Sequence, residues 1–304
     1  MNIRHILFAL VLGSVLFSCK MGPAFKSKEL VSNETYQYAP LTENKTDSLG
    51  EIKWWELFND PILDSLIIVA LDSNRDVRIA ANQVEEARLF YKIQKVQMYP
   101  QISGQGNTGY GNYGGLRLPD GSAGNYFAGA QVNWEIDFWG KLRRLNEAAQ
   151  AEYLATEFGY SNLKLTLVSD VAFFYFQMRE FEASAEISRR TLMARDSSLN
   201  LIKARYAQGI VAEIDVNQAQ ILRAIAASSI PAYERAAAQT THALHVILGK
   251  NPGKFEKSVR FDSLIVNPNI PVGLPSEILL RRPDLAFAEQ KLIAQNARDR
   301  KSVV

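Results

Sequence analysis

The chain has 304 residues, 47% hydrophobic and 22% charged, a globular composition with room for one or two domains. Its 34 Lys and Arg against 32 Asp and Glu give a formal net charge of +2, which argues against nucleic acid as a main partner. The single cysteine excludes a disulfide framework and a thiol cluster for a metal.

Residues 1–18 read as a short secretory signal: Arg4 near the start, an apolar run from Ile6 to Phe17, then Ser18. The run is about a dozen residues, too short for the ~30 Å of bilayer hydrocarbon and suited to a cleaved leader. Leu16-Phe17-Ser18-Cys19 resembles the bacterial lipobox, whose cysteine is acylated and becomes the mature N-terminus. Cys19 is therefore the expected lipidation site of an exported, lipid-anchored protein. Lys20 follows it, rather than the aspartate that favours inner-membrane retention in some bacteria, so the outer membrane is expected. No later apolar stretch reaches the ~18 residues of a membrane helix, so any crossing beyond the leader would use β-strands.

Residues 19–58 are polar and irregular up to Trp54-Trp55-Glu56-Leu57-Phe58 and read as a tether. Residues 59–250 read as one structural repeat. Asp60-Pro61 is a helix start, with a capping carboxylate followed by a proline at the first helical position. Leu63, Leu66, Ile67, Ala70 and Leu71 follow at helical spacing, and a second helix carries Val77, Ala80, Ala81, Val84, Ala87 and Tyr91. Together these helices fill 60–98 and end before Pro100.

Two strands are expected next, at 101–113 and 125–138, around a glycine-rich turn at 114–124. The second alternates cleanly. Tyr126, Ala128, Ala130, Val132, Trp134, Ile136 and Phe138 fall on one face; Asn125, Phe127, Gly129, Gln131, Asn133, Glu135 and Asp137 fall on the other. The first face, Tyr126 to Ile136, is the expected lipid-facing one and the second the lumen-facing one of a transmembrane β-hairpin. By alternation alone a soluble amphipathic hairpin fits as well.

Long helices of coiled-coil type are expected at 140–209 and 212–249. An apolar stripe runs through Leu163, Leu167, Val171, Phe174, Met178, Phe181 and Ala185, then Leu192, Leu199, Ile202 and Tyr206. Gly209 ends the first helix and Gly249 the second, and Pro231 should kink the second. At ~1.5 Å per residue the first spans roughly 105 Å, which a globular enzyme does not need. Residues 251–273 read as a linker. Asp284-Leu285-Ala286-Phe287-Ala288 then resembles Asp76-Val77-Arg78-Ile79-Ala80, so a second repeat is expected to start over 274–298. Residues 299–304 can be back-translated into a string resembling a common sequencing adapter, and the expectation is that they are adapter-derived and the chain cut there.

Several ordered stretches together resemble the outer-membrane efflux protein family, the TolC-like exit ducts, and most closely its lipoprotein branch. They include Cys19-Lys20-Met21-Gly22-Pro23, Trp54-Trp55-Glu56-Leu57-Phe58-Asn59-Asp60-Pro61, Trp134-Glu135-Ile136-Asp137-Phe138-Trp139-Gly140-Lys141 and Arg205-Tyr206-Ala207-Gln208-Gly209. Leu280-Arg281-Arg282-Pro283-Asp284-Leu285 completes the series. The resemblance implies a mainly α protomer of long antiparallel helices with a transmembrane β-hairpin, and a homotrimer closing one barrel above a helical tunnel. It also implies that this chain is about two-thirds of a family member and lacks the second tip, where acidic residues usually narrow the aperture. The turn carrying Arg205, Tyr206, Gly209, Ile210, Val211 and Asp215 corresponds to the tip that meets a periplasmic adaptor. Ala212 stands where the family often has a small hydroxyl residue.

The function implied is a non-enzymatic exit duct of a tripartite efflux system, with an adaptor and an inner-membrane pump as partners and no cofactor. Two alternatives are a protein-secretion duct of the same fold and a lipid-anchored coiled-coil scaffold with no pore. No catalytic constellation stands out. His242 and His245 share a helical face at i, i+3, but no carboxylate joins them at metal-site spacing, so helix packing is the plainer reading.

Overall fold

The computed structural model describes residues 25–26, 55, 58–111, 123–253, 255 and 281–302. The leader 1–18, Cys19, most of the 19–58 tether, the hairpin turn, most of the 251–273 linker and the start of the 274–298 segment lie outside the described residues.

Described elements follow in the order α1 (Pro61–Ser73), α2 (Arg75–Val96), β1 (Gln101–Gly111), β2 (Ala123–Asn133), α3 (Lys141–Ala207), α4 (Glu213–Ile247) and α5 (Pro283–Ser302). The described residues are thus mainly helical, with one antiparallel two-stranded sheet among them. Two compact units divide it. Among the described residues one draws on 82–159 and 282–302, the other on 58–81 and 160–253.

The second unit holds a core built at the joint between α1 and α2. The Asp60 carboxylate caps α1, accepting from the backbone N–H of Ile62 at 3.0 Å and of Leu63 at 3.4 Å, and Pro61 takes the first helical position. Its other oxygen accepts the Tyr175 hydroxyl of α3 at 2.5 Å. Both residues are buried, so each satisfies a polar group that would otherwise be stranded. Asn74 closes α1 and opens α2: its Oδ1 accepts from Asp76 N at 2.8 Å and Val77 N at 3.0 Å, while its Nδ2 donates to the Ile247 carbonyl at the end of α4. Around these polar links Leu63, Ile67, Ala70, Val171, Leu244 and Leu248 are almost completely buried.

Within the same unit the later part of α3 pairs with α4. Asp196 bonds Arg223 at 2.7 Å, Arg189 pairs with Glu234, and Leu199 packs on Val216 and Ala219. The ion pairs are exposed and add little; the apolar seam carries the contact. α4 runs through Pro231 without a break, and the Ser228 and Ser229 hydroxyls bond carbonyls in the turn before it. In the first unit, Tyr91 of α2 stacks on Tyr153 of α3 with centroids 6.3 Å apart. α5 packs there too: Phe287 lies against Gly159, Arg298 pairs with Glu152, and Ala294 and Ala297 are buried.

Candidate functional site: the hairpin wall and the helical tip

The hairpin register sorts side chains into two unlike faces. Ile102 pairs with Val132, Gly104 with Ala130, Gly106 with Ala128 and Thr108 with Tyr126 on one face. Gln101 pairs with Asn133, Ser103 with Gln131, Gln105 with Gly129 and Asn107 with Phe127 on the other. The first face is apolar and open: Tyr126 is 83% exposed, Ile102 76% and Val132 63%. The second is built of uncharged amides, with Gln131 Nε2 donating to Asn133 Oδ1 at 3.2 Å. Phe127 stands alone among them as an aromatic.

Trp134 and Ile136 do not belong to this strand. β2 ends at Asn133, five residues before the expected 138; β1 covers Gln101–Gly111, and residues 112–113 of the expected first strand lie outside the described residues. A ladder needs a partner. Asn133 pairs with Gln101, the first residue after Pro100, and the chain before that is the closing turn of α2, with Tyr99 N–H donating to the Val96 carbonyl. Beyond Asn133 β1 offers no further partner. The Phe138 N–H instead donates to the Ile136 carbonyl in a tight turn, which ends the alternation. The Trp134 indole N–H points to the Met98 carbonyl at 3.4 Å, and Trp134, Ile136, Phe138 and Trp139 remain exposed.

Glu135 and Asp137, expected on the polar face of the strand, are tied to the first turn of α3. Lys141 Nζ lies 3.3 Å from Glu135. The Asp137 carboxylate accepts from the Arg143 N–H at 2.9 Å and its guanidinium at 3.3 Å. Partial burial pushes the Asp137 carboxyl up, but backbone N–H groups of Arg143 and Leu142 and the Arg143 charge outweigh it and hold it below the usual value. An acid at a helix N-terminus also meets the positive end of the macrodipole.

The tip closes α3 onto α4. Gly209, at φ 72°, lets the Ile210 N–H reach the Arg205 carbonyl at 3.0 Å and its own N–H reach that of Tyr206 at 2.8 Å, the paired bonds of a Schellman stop. Asp215 accepts from the Ala212 N–H at 3.0 Å and starts α4. Arg205, Tyr206, Gly209 and Ile210 are exposed, Ile210 to 70%, whereas Val211 and Asp215 are half-buried.

His245 is buried, its Nδ1 2.8 Å from the Thr241 carbonyl and its ring stacked on Phe255 at 4.3 Å. The carbonyl can only accept, so Nδ1 carries the hydrogen and the ring belongs to the packing of α4. Among the described residues no three or more His, Cys, Asp or Glu side chains gather as a metal site, and no helix is long and apolar enough to cross a membrane.

Residues 66–250, which include the hairpin, the tip and most of the joint, match the family model "Outer membrane efflux protein". The chain belongs to the outer membrane efflux protein family. Among relatives in that family, the "Solvent efflux pump outer membrane protein SrpC" of Pseudomonas putida is 36% identical over 251 residues, 80% of this chain and 52% of SrpC. A solved structure of CusC, described as forming a transmembrane channel, superposes with a TM-score of 0.75 at 30% identity, covering 92% of this chain and 62% of that one. The outer-membrane channel OprN superposes with a TM-score of 0.77 at 26% identity, covering 94% and 64%. The fold is that of a TolC-like protomer, and family membership puts the protein at the outer membrane. The chain spans about half the length of SrpC and under two thirds of the two channels.

Two pairings carried no signal in the sequence. Tyr175 bonds Asp60 from a helix 115 residues away. The Phe127 ring covers Gly129, where alternation shows only that they share a face.

Proposed function

We propose that the full-length protein containing this chain forms a homotrimeric outer-membrane exit duct, which passes small toxic compounds delivered by an inner-membrane pump through a periplasmic adaptor. The observation that carries the reading is the division of the hairpin into an exposed apolar face and an amide face. A pore-free scaffold has no use for Tyr126, Ile102 and Val132 standing open on one side of a two-stranded sheet. The free edges of such a sheet are satisfied in lipid only by further strands, as in a closed barrel.

In this reading Tyr126, Ala128, Ala130 and Val132 face lipid. Trp134 and Ile136 sit at the lipid–water boundary, where exposed aromatics are favoured, and the Gln and Asn side chains line the lumen. Cys19 carries the acyl anchor. The tip, with its exposed Tyr206 and Ile210, docks the adaptor. A duct performs no bond chemistry, so the protein is not an enzyme and calls for no cofactor. SrpC is named for solvent efflux, and other relatives carry names for toluene, antibiotic and cation efflux, so the shared cargo class is small and toxic.

Two measurements test the proposal. Expressed in a strain lacking its own exit ducts, the full-length protein together with its adaptor and pump should restore tolerance to solvents or dyes. The purified trimer should conduct in a planar bilayer. A well-folded trimer that passes no current would overturn the reading.

A further inference from the structure

We propose that Gly129 is a positioning residue: it lets the Phe127 ring fold back over the strand and so keeps the passage open at that level. The inference rests on the duct reading above, which turns the amide face of the hairpin toward the lumen. Phe127 and Gly129 are two residues apart on β2 and share that face. Opposite them stand Asn107 and Gln105.

An aromatic ring on a wet, amide-lined surface sheds water by lying down on whatever backbone is bare. Gly129 supplies the bare backbone. A Cβ built on it would sit 2.9 Å from Cζ and 3.2 Å from Cε1 of Phe127, inside van der Waals contact. The ring therefore occupies the space that any other residue at 129 would fill.

Three contrasts within the hairpin make this specific. A Cβ on Gly104 or Gly106 would meet nothing within 4 Å. A Cβ on Gly124 would meet Tyr126 on the other face at 3.4 Å, an ordinary contact. Only at Gly129, among these strand glycines, is a side chain folded in so close that a methyl group would displace it. A glycine weakens a strand interior, and close approach of another group is one of the few things it provides in exchange. The atoms that would be struck are the far end of a flexible side chain, so the ring can yield by rotating away from the sheet. On this face, away from the sheet means into the lumen. Because each protomer of a trimer contributes the same hairpin, each would send one ring inward.

The experiment is single-channel conductance of the full-length trimer in a planar bilayer, with Gly129→Ala, Phe127→Ala and the double variant. Gly129→Ala should lower conductance. The double variant should recover the conductance of Phe127→Ala, because with no ring to displace the methyl group is harmless. Gly129→Ser should behave as Gly129→Ala does. A Gly129→Ala channel that conducts like the parent would overturn the inference. So would an equal loss on adding Gly129→Ala to Phe127→Ala, since a methyl group that merely damages the strand is not rescued by removing the ring. If the parent trimer itself carries no current, the duct reading falls and this inference falls with it; if the parent conducts, the variants judge Gly129 alone.

Discussion

Gly209 and Gly249 end the two long helices with the same backbone motif, at φ 72° and 64°. At each, the glycine N–H and the one after it turn back to carbonyls in the last helical turn: Tyr206 and Arg205 at one end, Val246 and His245 at the other. Their surroundings differ completely. A Cβ on Gly209 would meet nothing within 4 Å, whereas one on Gly249 would strike the Ser73 carbonyl at 2.8 Å. The second stop is locked into the joint where Asn74 also grips the Ile247 carbonyl and Ser73 Oγ approaches the Leu248 carbonyl at 2.8 Å. At the joint, Asp60, Tyr175 and Asn74 find their hydrogen-bond partners within the same unit. The tip leaves Ile210 and Tyr206 exposed.

That contrast can be broken by mutation. The largest effect is expected at the joint's buried carboxylate. Asp60→Ala removes a helix cap and leaves the Tyr175 hydroxyl buried without its acceptor, a loss of about 3 kcal/mol. Thermal unfolding of the full-length protein, followed by far-UV circular dichroism, reads it; an unchanged midpoint would mean the joint is not self-sufficient. Gly249→Ala should cost about 2 kcal/mol, from left-handed backbone strain together with the clash against a backbone carbonyl that cannot swing aside. Gly209→Ala should cost about 1 kcal/mol, since only the strain applies. Equal losses at the two glycines would erase the distinction drawn between the two ends.

Asp137 caps a helix too, at a site less buried than Asp60, and sharpens the comparison through pH. Its carboxyl is held below the ordinary value of 3.8, so it binds a proton less readily folded than unfolded. The stability it adds is present above that unfolded value and is lost as pH falls through the lower folded one. Asp137→Asn should remove that acid-side dependence, at a cost near neutral pH of about 0.5 kcal/mol; unfolding midpoints of both proteins measured from pH 5 down to pH 2 would show it. The smallest stability change, within about 0.5 kcal/mol, is expected for Ile210→Ser on the open tip. If the tip docks an adaptor, this variant should nonetheless lower solvent or dye tolerance in the complete efflux system, and a fully tolerant strain would count against that role.

Much of the architecture was legible because its signals are local. Asp60-Pro61 announces a helix start, and α1 begins at Pro61. The long proline-poor stripe announces α3, and Gly209 and Gly249 announce its end and that of α4. The hairpin's length was legible only in part. Alternation continues in the sequence through Trp134 and Ile136, but the strand does not, because β1 offers no partner before Gln101. The stripe on α3 pointed to Phe174 and passed over Tyr175, the residue that is fully buried. Periodicity favours the apolar neighbour, whereas the burial of Tyr175 depends on a carboxylate waiting for its hydroxyl.

What the amino-acid order settled is what each residue works out with neighbours a few places away: where helices start and stop, which strand residues share a face, and that long helices flank a hairpin. Packing in space fixed the rest: where β2 runs out of partner, that Asp60 serves both its own helix and Tyr175, that one helix-ending glycine is enclosed and the other open, and that the Phe127 ring folds back over Gly129. Each of these depends on which atoms come within a few ångströms in space. A local pattern can show that a group needs a partner or some room, but it does not say which distant residue will supply either.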